Sequence, residues 1–399
     1  MKQYKYTIAF GILLIADFFL LLFISDDFSI SYRESLIYFN QNTFLYYLTH
    51  ISTSIFGQND VALRLPFILF YIASIILAYL LTSDYFKKQS DRLGSIIIFM
   101  LLPGLNSAGL LVNEAIIVIF FTLLYLYLFK ITKKEHYWLL FLCLFIDNSF
   151  AVMYLALIFY SLQKRDNTLL VVSLILFGAS MQIYGFDSGG HAKGYFFDTF
   201  GAYASIFSPI IFFYFFYAMY RITIKGERDL YWYISFTAFA FSLLLSLRQK
   251  IEIEDFAPFV VIAIPMMVKL FMHSFRTRVP QFRKKHYIFS IVSVFSLVVT
   301  FIVFIANKPL YLVIPKVHKH FAYDYHIAKD LAYKLKEENI YGVLASSYKL
   351  QSRLRFYGIY ANENIYLTKN PSTNAKKITI KYYGKNINDF YITQLKKTN

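Results

Sequence analysis

The sequence predicts an α-helical membrane protein that crosses the bilayer about eleven times and ends in a small α/β domain. Three observations predict this class. Of the 399 residues, 58% are hydrophobic and 16% are charged, against roughly 25% charged residues in soluble domains. Apolar runs of about 20 residues, each long enough to span a bilayer, recur from residue 6 to residue 306. From about residue 308 to the end, the composition changes sharply.

Eleven apolar segments are predicted to span the membrane. The fifth and sixth form one stretch that is interrupted by Asp147 and Asn148. Two short helices with a tight turn are one interpretation of this stretch, and a single long helix with a buried Asp147 is the other. We expect no cleavable signal peptide, because the first run is long and no small-residue cleavage site follows it. The predicted spans are 6–25, 61–82, 93–111, 114–130, 137–147, 149–163, 168–186, 203–220, 230–247, 256–273 and 287–306.

The basic residues predict the orientation. If the N-terminus with Lys2 and Lys5 is cytoplasmic, eleven crossings place every strongly basic loop on the cytoplasmic side. Merging the fifth and sixth spans would move later basic loops outside, so the charge bias favours two helices. The net charge of +16 is therefore explained by topology and does not indicate nucleic-acid binding. The basic loops are 87–92, 130–134, 164–165, 221–228 and 276–285.

The opposite, extracytoplasmic side collects the remaining loops and the C-terminal residues. We predict a transmembrane domain at 1–307, with helices lying along the membrane interface in loop 26–60, and an extracytoplasmic α/β domain at 308–399. In the latter, "YDYHIAKDLAYKLKEENI" and "KLQSRLRFYGIY" are typical of helices, and "YGVLASS" and "ENIYL" of short strands. This domain is expected to cover a cleft or help to hold an acceptor.

Charged residues at the outer ends of the spans are the candidate site residues. Asp26 and Asp27 follow the first span, and either end the helix in water or face a cleft. Glu114 begins the fourth span, where an unpaired acid is costly, although the helix dipole also favours an acid there. Arg248 and Lys250 follow the ninth span at the depth of a lipid phosphate. The acids just after them make a solvated, self-neutralising loop the competing interpretation.

Three ordered segments resemble the GT-C membrane glycosyltransferases, in particular the family of protein mannosyltransferases and lipid A aminoarabinose transferases. The acidic pair followed by "IFGQNDVALRLPFILF" is similar to the start of that family and includes Arg64 in its A-L-R-L-P motif. "GGHAKGYFFDTFGAYASIFSP" resembles its H-x-K/R-P-x-[YF]-[YF] segment, with Gly194 in place of the proline. "FSLLLSLRQKIEIEDFAPFVVIAIP" resembles a later segment whose lysine matches Lys250.

The resemblance implies a function and roles for residues. Such enzymes move a sugar, with inversion, from a polyprenyl phosphate to a lipid, glycan or protein acceptor at the outer face of a bacterial-type inner membrane. Asp26 aligns best with the family's first acid, although the sequence leaves the choice between Asp26 and Asp27 open, and Glu114 is the best match to a second acid. The residues predicted to bind the lipid phosphate of the donor are Lys250, Arg248, His191, Lys193, Tyr195 and Arg64.

The chemistry needs cations near the departing phosphate and a carboxylate for the acceptor proton. The sequence has no phosphate-binding G-x-K-[ST] loop and no paired His/Cys metal spacing. It predicts no certain cofactor and leaves the need for a divalent metal open. A transporter or flippase of lipid-linked substrates is the alternative function, and it would place charges at mid-bilayer on broken helices. A ligase or polymerase of surface polysaccharide shares the chemistry but not the order of motifs.

Overall fold

The computed structural model describes residues 2–39, 43–185, 194–371 and 375–394. These residues are mainly helical and form two compact units. The first unit comprises Met1–Phe18, Leu69–Gly109 and Asn113–Phe301. The second unit comprises Phe19–Ile68, Leu110–Val112 and Ile302–Asn399. The C-terminal residues therefore share a compact unit with the segment that follows the first helix.

Nineteen α-helices are present in the described ranges. The first ten are α1 (Lys2–Asp27), α2 (Tyr32–Phe39), α3 (Phe44–Phe56), α4 (Asp60–Leu81), α5 (Gln89–Met100), α6 (Pro103–Leu110), α7 (Ala115–Thr132), α8 (Tyr137–Cys143), α9 (Phe150–Lys164) and α10 (Asn167–Tyr184). The others are α11 (Phe196–Phe207), α12 (Pro209–Lys225), α13 (Leu230–Ser246), α14 (Ala257–Val261), α15 (Ile264–Thr277), α16 (Pro280–Ile305), α17 (Leu310–Val313), α18 (Ala328–Glu337) and α19 (Tyr348–Phe356). The two helices expected in loop 26–60 are α2 and α3.

The helices confirm a polytopic membrane protein but give fewer full-length spans than the eleven predicted. Among the described residues, six helical segments are long and apolar enough to cross a membrane, or up to eight if each of two bent pairs counts as one span. The bends are 60° between α5 and α6 and 107° between α11 and α12. Each of the second helices begins with a proline, which lacks the N–H needed to continue the preceding helix. The apolar helices α9 and α13 are shorter.

The stretch around Asp147 forms two separate helices. Helix α8 ends at Cys143 after seven residues, and α9 begins at Phe150. The Asp147 carboxylate accepts a hydrogen bond from the Ser149 backbone N–H at 2.9 Å in the turn between them. The alternative of one long helix with a buried Asp147 is therefore wrong. Because α8 has only seven residues, it is much shorter than a membrane span.

A buried polar contact in the first unit joins α1, α4 and the bent α5–α6 pair. The Tyr71 hydroxyl donates to the Asp17 carboxylate at 2.6 Å. The Asn106 side chain donates to the Met100 carbonyl at 2.5 Å, at the bend. Gly109 lies so close to Tyr71 that an added Cβ would be 2.7 Å from the tyrosine side chain. The polar groups of this contact are thus satisfied within the protein.

The C-terminal part of the second unit contains a four-stranded sheet. Its strands are β1 (Leu344–Ala345), β2 (Ile365–Thr368), β3 (Lys376–Tyr382) and β4 (Lys385–Gln394), in the spatial order β1-β2-β4-β3. The β1–β2 pair is parallel, and the other pairs are antiparallel. The two-residue turn of the β3–β4 hairpin, Tyr383 and Gly384, has positive φ at both positions, as type I′ hairpin turns require. The sequence predicted β1, β2, α18 and α19, but not this hairpin.

The sheet and the two helices share one apolar core. Helix α18 contributes Leu331 and Leu335, and α19 contributes Leu354. The long hairpin contributes Ile378 and Phe390 from its inner face. Helix α19 also packs against α2. The core therefore fixes α18 and α19, which carry the charged groups described next.

Candidate functional site

The segment that follows α1 is held by the buried guanidinium of Arg64 on α4. Arg64 Nη1 donates to the carbonyls of Ser25 at 3.0 Å and Phe28 at 2.7 Å, and Nη2 donates to the carbonyl of Ser29 at 3.1 Å. The Nε and Nη2 groups also donate to the Glu34 carboxylate at 3.2 and 2.9 Å. An arginine has five N–H donors, and all five have protein acceptors. No donor is left for the lipid phosphate that the sequence predicted Arg64 to bind, so we do not include Arg64 in a donor site.

Glu34 is the buried partner of Arg64. Its carboxylate accepts a hydrogen bond from the Ser31 backbone N–H at 2.8 Å, while the Ser31 hydroxyl accepts from the Glu34 N–H at 3.2 Å. This reciprocal pair is a capping box, which begins α2. Glu34 also accepts from the Val112 N–H at 3.2 Å. The motif "SYRE" at residues 31–34 is the sequence signal of this capping box, and the candidate site residues predicted from the sequence do not include Glu34.

Helix α19 holds the same segment from the C-terminal part of the chain. Arg353 donates to the carbonyls of Ile30 at 2.9 Å and His326 at 2.6 Å. The Tyr357 hydroxyl accepts from the Ile30 N–H at 2.7 Å and donates to the Asp60 carboxylate at 2.6 Å. Burial, reinforced by the charge of Asp60, raises the pKa of Tyr357 far above its ordinary value, so the hydroxyl stays a donor. Residues 25–30 therefore have a fixed backbone.

The two predicted catalytic acids end α1, immediately before this fixed segment. The Asp26 carboxylate lies 2.9 Å from the Lys329 ammonium, and the Asp27 carboxylate lies 2.5 Å from the Lys308 ammonium. The side chains of Asp26 and Asp27 are 70% and 48% exposed. Both acids are thus paired and still open to solvent, as a group that must reach an acceptor requires.

Asp60 is a third acid in this cluster, and the sequence analysis missed it. Its side chain is buried and lies 3.2 Å from Lys329 and 4.0 Å from Arg64. The i, i+4 spacing of Asp60 and Arg64 on one helix was the available signal. Lys308 and Lys329 had no such signal, because they lie 281 and 303 residues from their acidic partners in the chain.

The first unit contains a cavity with one apolar and one polar part. Its volume is about 370 Å³. Lys250, Glu252 and Asp255 contribute charged groups, and Lys250 and Glu252 are exposed. The apolar lining comes from Ala151, Val152, Leu155, Phe177, Met181, Phe241 and Leu245. The lining therefore combines one cation and two carboxyl groups with an apolar wall.

The acids around this cavity affect one another. Burial, together with the charges of Asp147, Glu252, Glu254 and Glu114, raises the pKa of Asp255 to about 7. Asp255 is consequently close to half-protonated at neutral pH. Lys250 forms no ion pair with any residue in the described ranges, so its charge is open to a ligand in the cavity.

The remaining predicted site residues have different locations. Glu114 stands at the N-cap of α7, without a side-chain bond to the helix N–H groups, and its charge acts on Asp255. Arg248 is exposed after the end of α13, and Tyr195 precedes α11. His191 and Lys193 lie outside the described residues. In the described part of the chain, no three His, Cys, Asp or Glu side chains are placed to hold a metal ion.

The family model of dolichyl-phosphate-mannose-protein mannosyltransferases matches residues 41–182. No curated protein sequence matches the chain significantly. The structure resembles ArnT from Cupriavidus metallidurans in the apo state, with 12% identity, a TM-score of 0.57, and coverage of 97% of this chain and 98% of that one. ArnT bound to undecaprenyl phosphate gives 12% identity, a TM-score of 0.58 and 98% coverage of both chains.

The chain has the GT-C fold. The predicted resemblance to the mannosyltransferase and aminoarabinose-transferase family is confirmed by the family model and by the ArnT structures. The GT-C fold extends over nearly the whole chain and includes the C-terminal sheet, whereas the family model covers only 41–182. The fold class predicted from the sequence is thereby confirmed.

Proposed function

We propose that this protein is a glycosyltransferase that takes a sugar from a polyprenyl-phosphate donor and transfers it, with inversion, to a membrane lipid, a glycan or a protein. The observation that carries the proposal is the cavity of the first unit, where Lys250 stands beside a long apolar lining. The ArnT structure with undecaprenyl phosphate supports it, because that protein binds such a lipid on the same fold. The donor sugar is proposed to be a hexose or a pentose.

Lys250 and the apolar lining would bind the donor. Prenyl units pack against side chains such as Leu155, Phe177 and Leu245, while the phosphate faces the Lys250 ammonium. As the sugar leaves, the phosphate oxygen gains negative charge, and a fixed cation stabilises that charge more in the transition state than in the bound donor. Arg248, His191, Lys193 and Tyr195 remain proposed contributors to this donor site.

Asp26 is proposed to be the base. The acceptor hydroxyl gives its proton to the Asp26 carboxylate, its oxygen bonds to the anomeric carbon, and the bond from that carbon to the phosphate oxygen breaks. The polyprenyl phosphate leaves with the electron pair. The solvent exposure and the fixed backbone of Asp26 support this role. Asp27 and Glu114 remain the alternative acids.

The membrane topology follows from the charge distribution. We propose a bacterial-type inner-membrane location with a cytoplasmic N-terminus, because eleven crossings, with the short α8 counted as one of them, would place the basic loops on one side. The segment around Asp26 and residues 308–399 are then extracytoplasmic. The acceptor is accordingly proposed to be a molecule of the cell envelope.

The decisive experiment uses the purified full-length protein in liposomes. A panel of undecaprenyl-phosphate sugars (glucose, mannose, arabinose and aminoarabinose) is supplied with total envelope lipids and glycans, and released undecaprenyl phosphate is measured. The proposal predicts release with at least one donor, together with a glycosylated acceptor. If intact donors instead move across the membrane of sealed liposomes without bond cleavage, the protein is a transporter or flippase and not a glycosyltransferase.

A further inference from the structure

A lysine from the C-terminal part of the chain joins two acids of the N-terminal part. Lys329, at the start of α18, donates from Nζ to the Asp26 carbonyl at 2.5 Å and to the Asp26 carboxylate at 2.9 Å. The same ammonium lies 3.2 Å from the Asp60 carboxylate. A lysine ammonium has three N–H donors. All three have acceptors here, so Lys329 has no donor left for a substrate phosphate.

Asp60 fixes the position of Lys329. The Asp60 side chain is 2% exposed, and its other oxygen accepts a hydrogen bond from the Tyr357 hydroxyl and lies 4.0 Å from Arg64. Burial alone would lower the pKa of Lys329, but Asp60 and Asp26 together raise it above its ordinary value. The ammonium is therefore charged across the neutral range, and a buried anion keeps it in place.

Asp27 provides an internal comparison. It is adjacent to Asp26, but its partner is Lys308, which contacts no second carboxylate in the described part of the chain. The Asp27 pair therefore resembles an ordinary exposed ion pair, worth about 0–1 kcal/mol. Asp26 is joined through Lys329 to a buried network, and Asp27 is not.

We propose that Lys329 is the positioning residue of the catalytic centre: anchored by Asp60, it fixes the Asp26 carboxylate in place. This inference rests on the proposed role of Asp26 as base. Residues 308–399 would then do more than cover a cleft, because their Lys329 positions the base.

The first test measures how firmly the Asp26 carboxylate is held, without any substrate. The full-length protein is labelled with a carbodiimide and an amine at one fixed pH, and the rate of modification of Asp26 is measured by mass spectrometry. In Lys329→Met, this labelling rate is expected to rise several-fold, because the carboxylate loses the ammonium group that pairs with it. Lys329→Arg is expected to restore the labelling rate, and Asp60→Asn to raise it as Lys329→Met does.

Two variants serve as matched controls for this test. Lys308→Met removes the neighbouring ion pair and is expected to raise the labelling rate of Asp27 but not that of Asp26. Lys377→Ala removes an exposed pair with Asp389 in the β3–β4 hairpin and is expected to change neither rate. An unchanged labelling rate of Asp26 in Lys329→Met would overturn the proposal, whatever happens to turnover.

The second test uses turnover with the donor found in the panel above. Lys329→Met is expected to lower kcat by about 10- to 100-fold, because a misplaced base costs rate, and to leave the KM for the donor unchanged. Lys329→Arg should restore kcat, because it keeps a cation beside Asp26. A lower kcat that Lys329→Arg does not restore would show a merely structural role. Full activity in Asp26→Asn would instead refute the proposed base, independently of Lys329.

Discussion

The charges around Asp26 and the charges around the cavity differ in how they are paired. In the second unit, Asp26, Asp27, Glu34 and Asp60 each have a lysine or arginine within 4.0 Å. In the first unit, the three charged residues of the cavity, Lys250, Glu252 and Asp255, form no ion pair with any described residue. Paired charges hold a geometry, whereas unpaired charges at a cavity remain available to a ligand. The comparison suggests a fixed base in one region and an open anion-binding site in the other.

The largest expected effect is on turnover, and it distinguishes Asp26 from the adjacent Asp27. Asp26→Asn keeps the shape of the side chain and removes the proton acceptor, so turnover should fall by about 10²–10⁴-fold. Asp27→Asn should change turnover by less than about tenfold, since Asp27 has no link to the buried network. Release of undecaprenyl phosphate by the two variants is the measurement. The opposite result would give the role of base to Asp27, and two fully active variants would refute both assignments.

Arg64 tests whether the paired region is held as the hydrogen bonds indicate. Arg64→Met leaves the buried Glu34 charge without its cation and three carbonyls without donors. Removing one partner of a buried ion pair costs about 3–5 kcal/mol, so the free energy of unfolding should fall by that amount in chemical denaturation in detergent. Lys284→Met, at an exposed lysine of α16, is the control and should change it by less than about 0.5 kcal/mol. Equal stability of both variants would contradict the conclusion that Arg64 holds the segment after α1.

Lys250 tests whether the unpaired region binds the donor. Lys250→Ala removes a charge-assisted contact with a phosphate, so affinity for undecaprenyl phosphate should fall by about 10- to 100-fold. Binding is measured with labelled lipid in detergent micelles. Lys285→Ala removes an exposed lysine that does not line the cavity and should bind normally. Wild-type affinity in Lys250→Ala would contradict a contact between Lys250 and the phosphate. It would favour the solvated, self-neutralising loop instead.

The smallest expected effect is a pH dependence from Asp255. Its pKa of about 7 means that the carboxyl becomes charged as the pH rises through neutrality. A phosphodiester donor keeps one negative charge over this range, so its affinity should fall a few-fold between about pH 6 and pH 8. Asp255→Asn should remove this dependence. A fall of equal size in Asp255→Asn would assign the titration to another group.

The same carboxyl has a defined effect on stability. The pKa of Asp255 is higher in the folded protein than its ordinary value of 3.8, so the folded state binds more protons than the unfolded state between about pH 4 and 7. The wild type should therefore lose stability relative to Asp255→Asn as the pH rises through that window, with no further change above it. The difference in unfolding midpoint between the two proteins, followed over pH, is the measurement.

The sequence by itself determined the membrane class, the approximate limits of most helices and the candidate acids. Apolar run length and the positions of basic residues are local properties, so they can be read along the chain. The order of three motifs was enough to predict the GT-C fold, which the structure confirms. Local signals for Glu34 and Asp60 were also present, in a capping box and an i, i+4 pair, although they were not recognised.

Only the tertiary structure decided which charges meet. Lys329 reaches Asp26 because α18 packs in one core with the sheet and α19, and Lys308 reaches Asp27 from the turn before α17, whose Tyr311 lies in the same core. Arg353 of α19 and Tyr357, which follows it, bind the segment after α1. No periodicity links residues about 300 positions apart, since their proximity depends on packing of the intervening chain. Arg64 and Lys250 also differ in burial. The N–H donors of buried Arg64 are all used inside the protein, whereas the charge of exposed Lys250 is open to the cavity. Both are basic residues in family-like motifs, and their surroundings give them different roles.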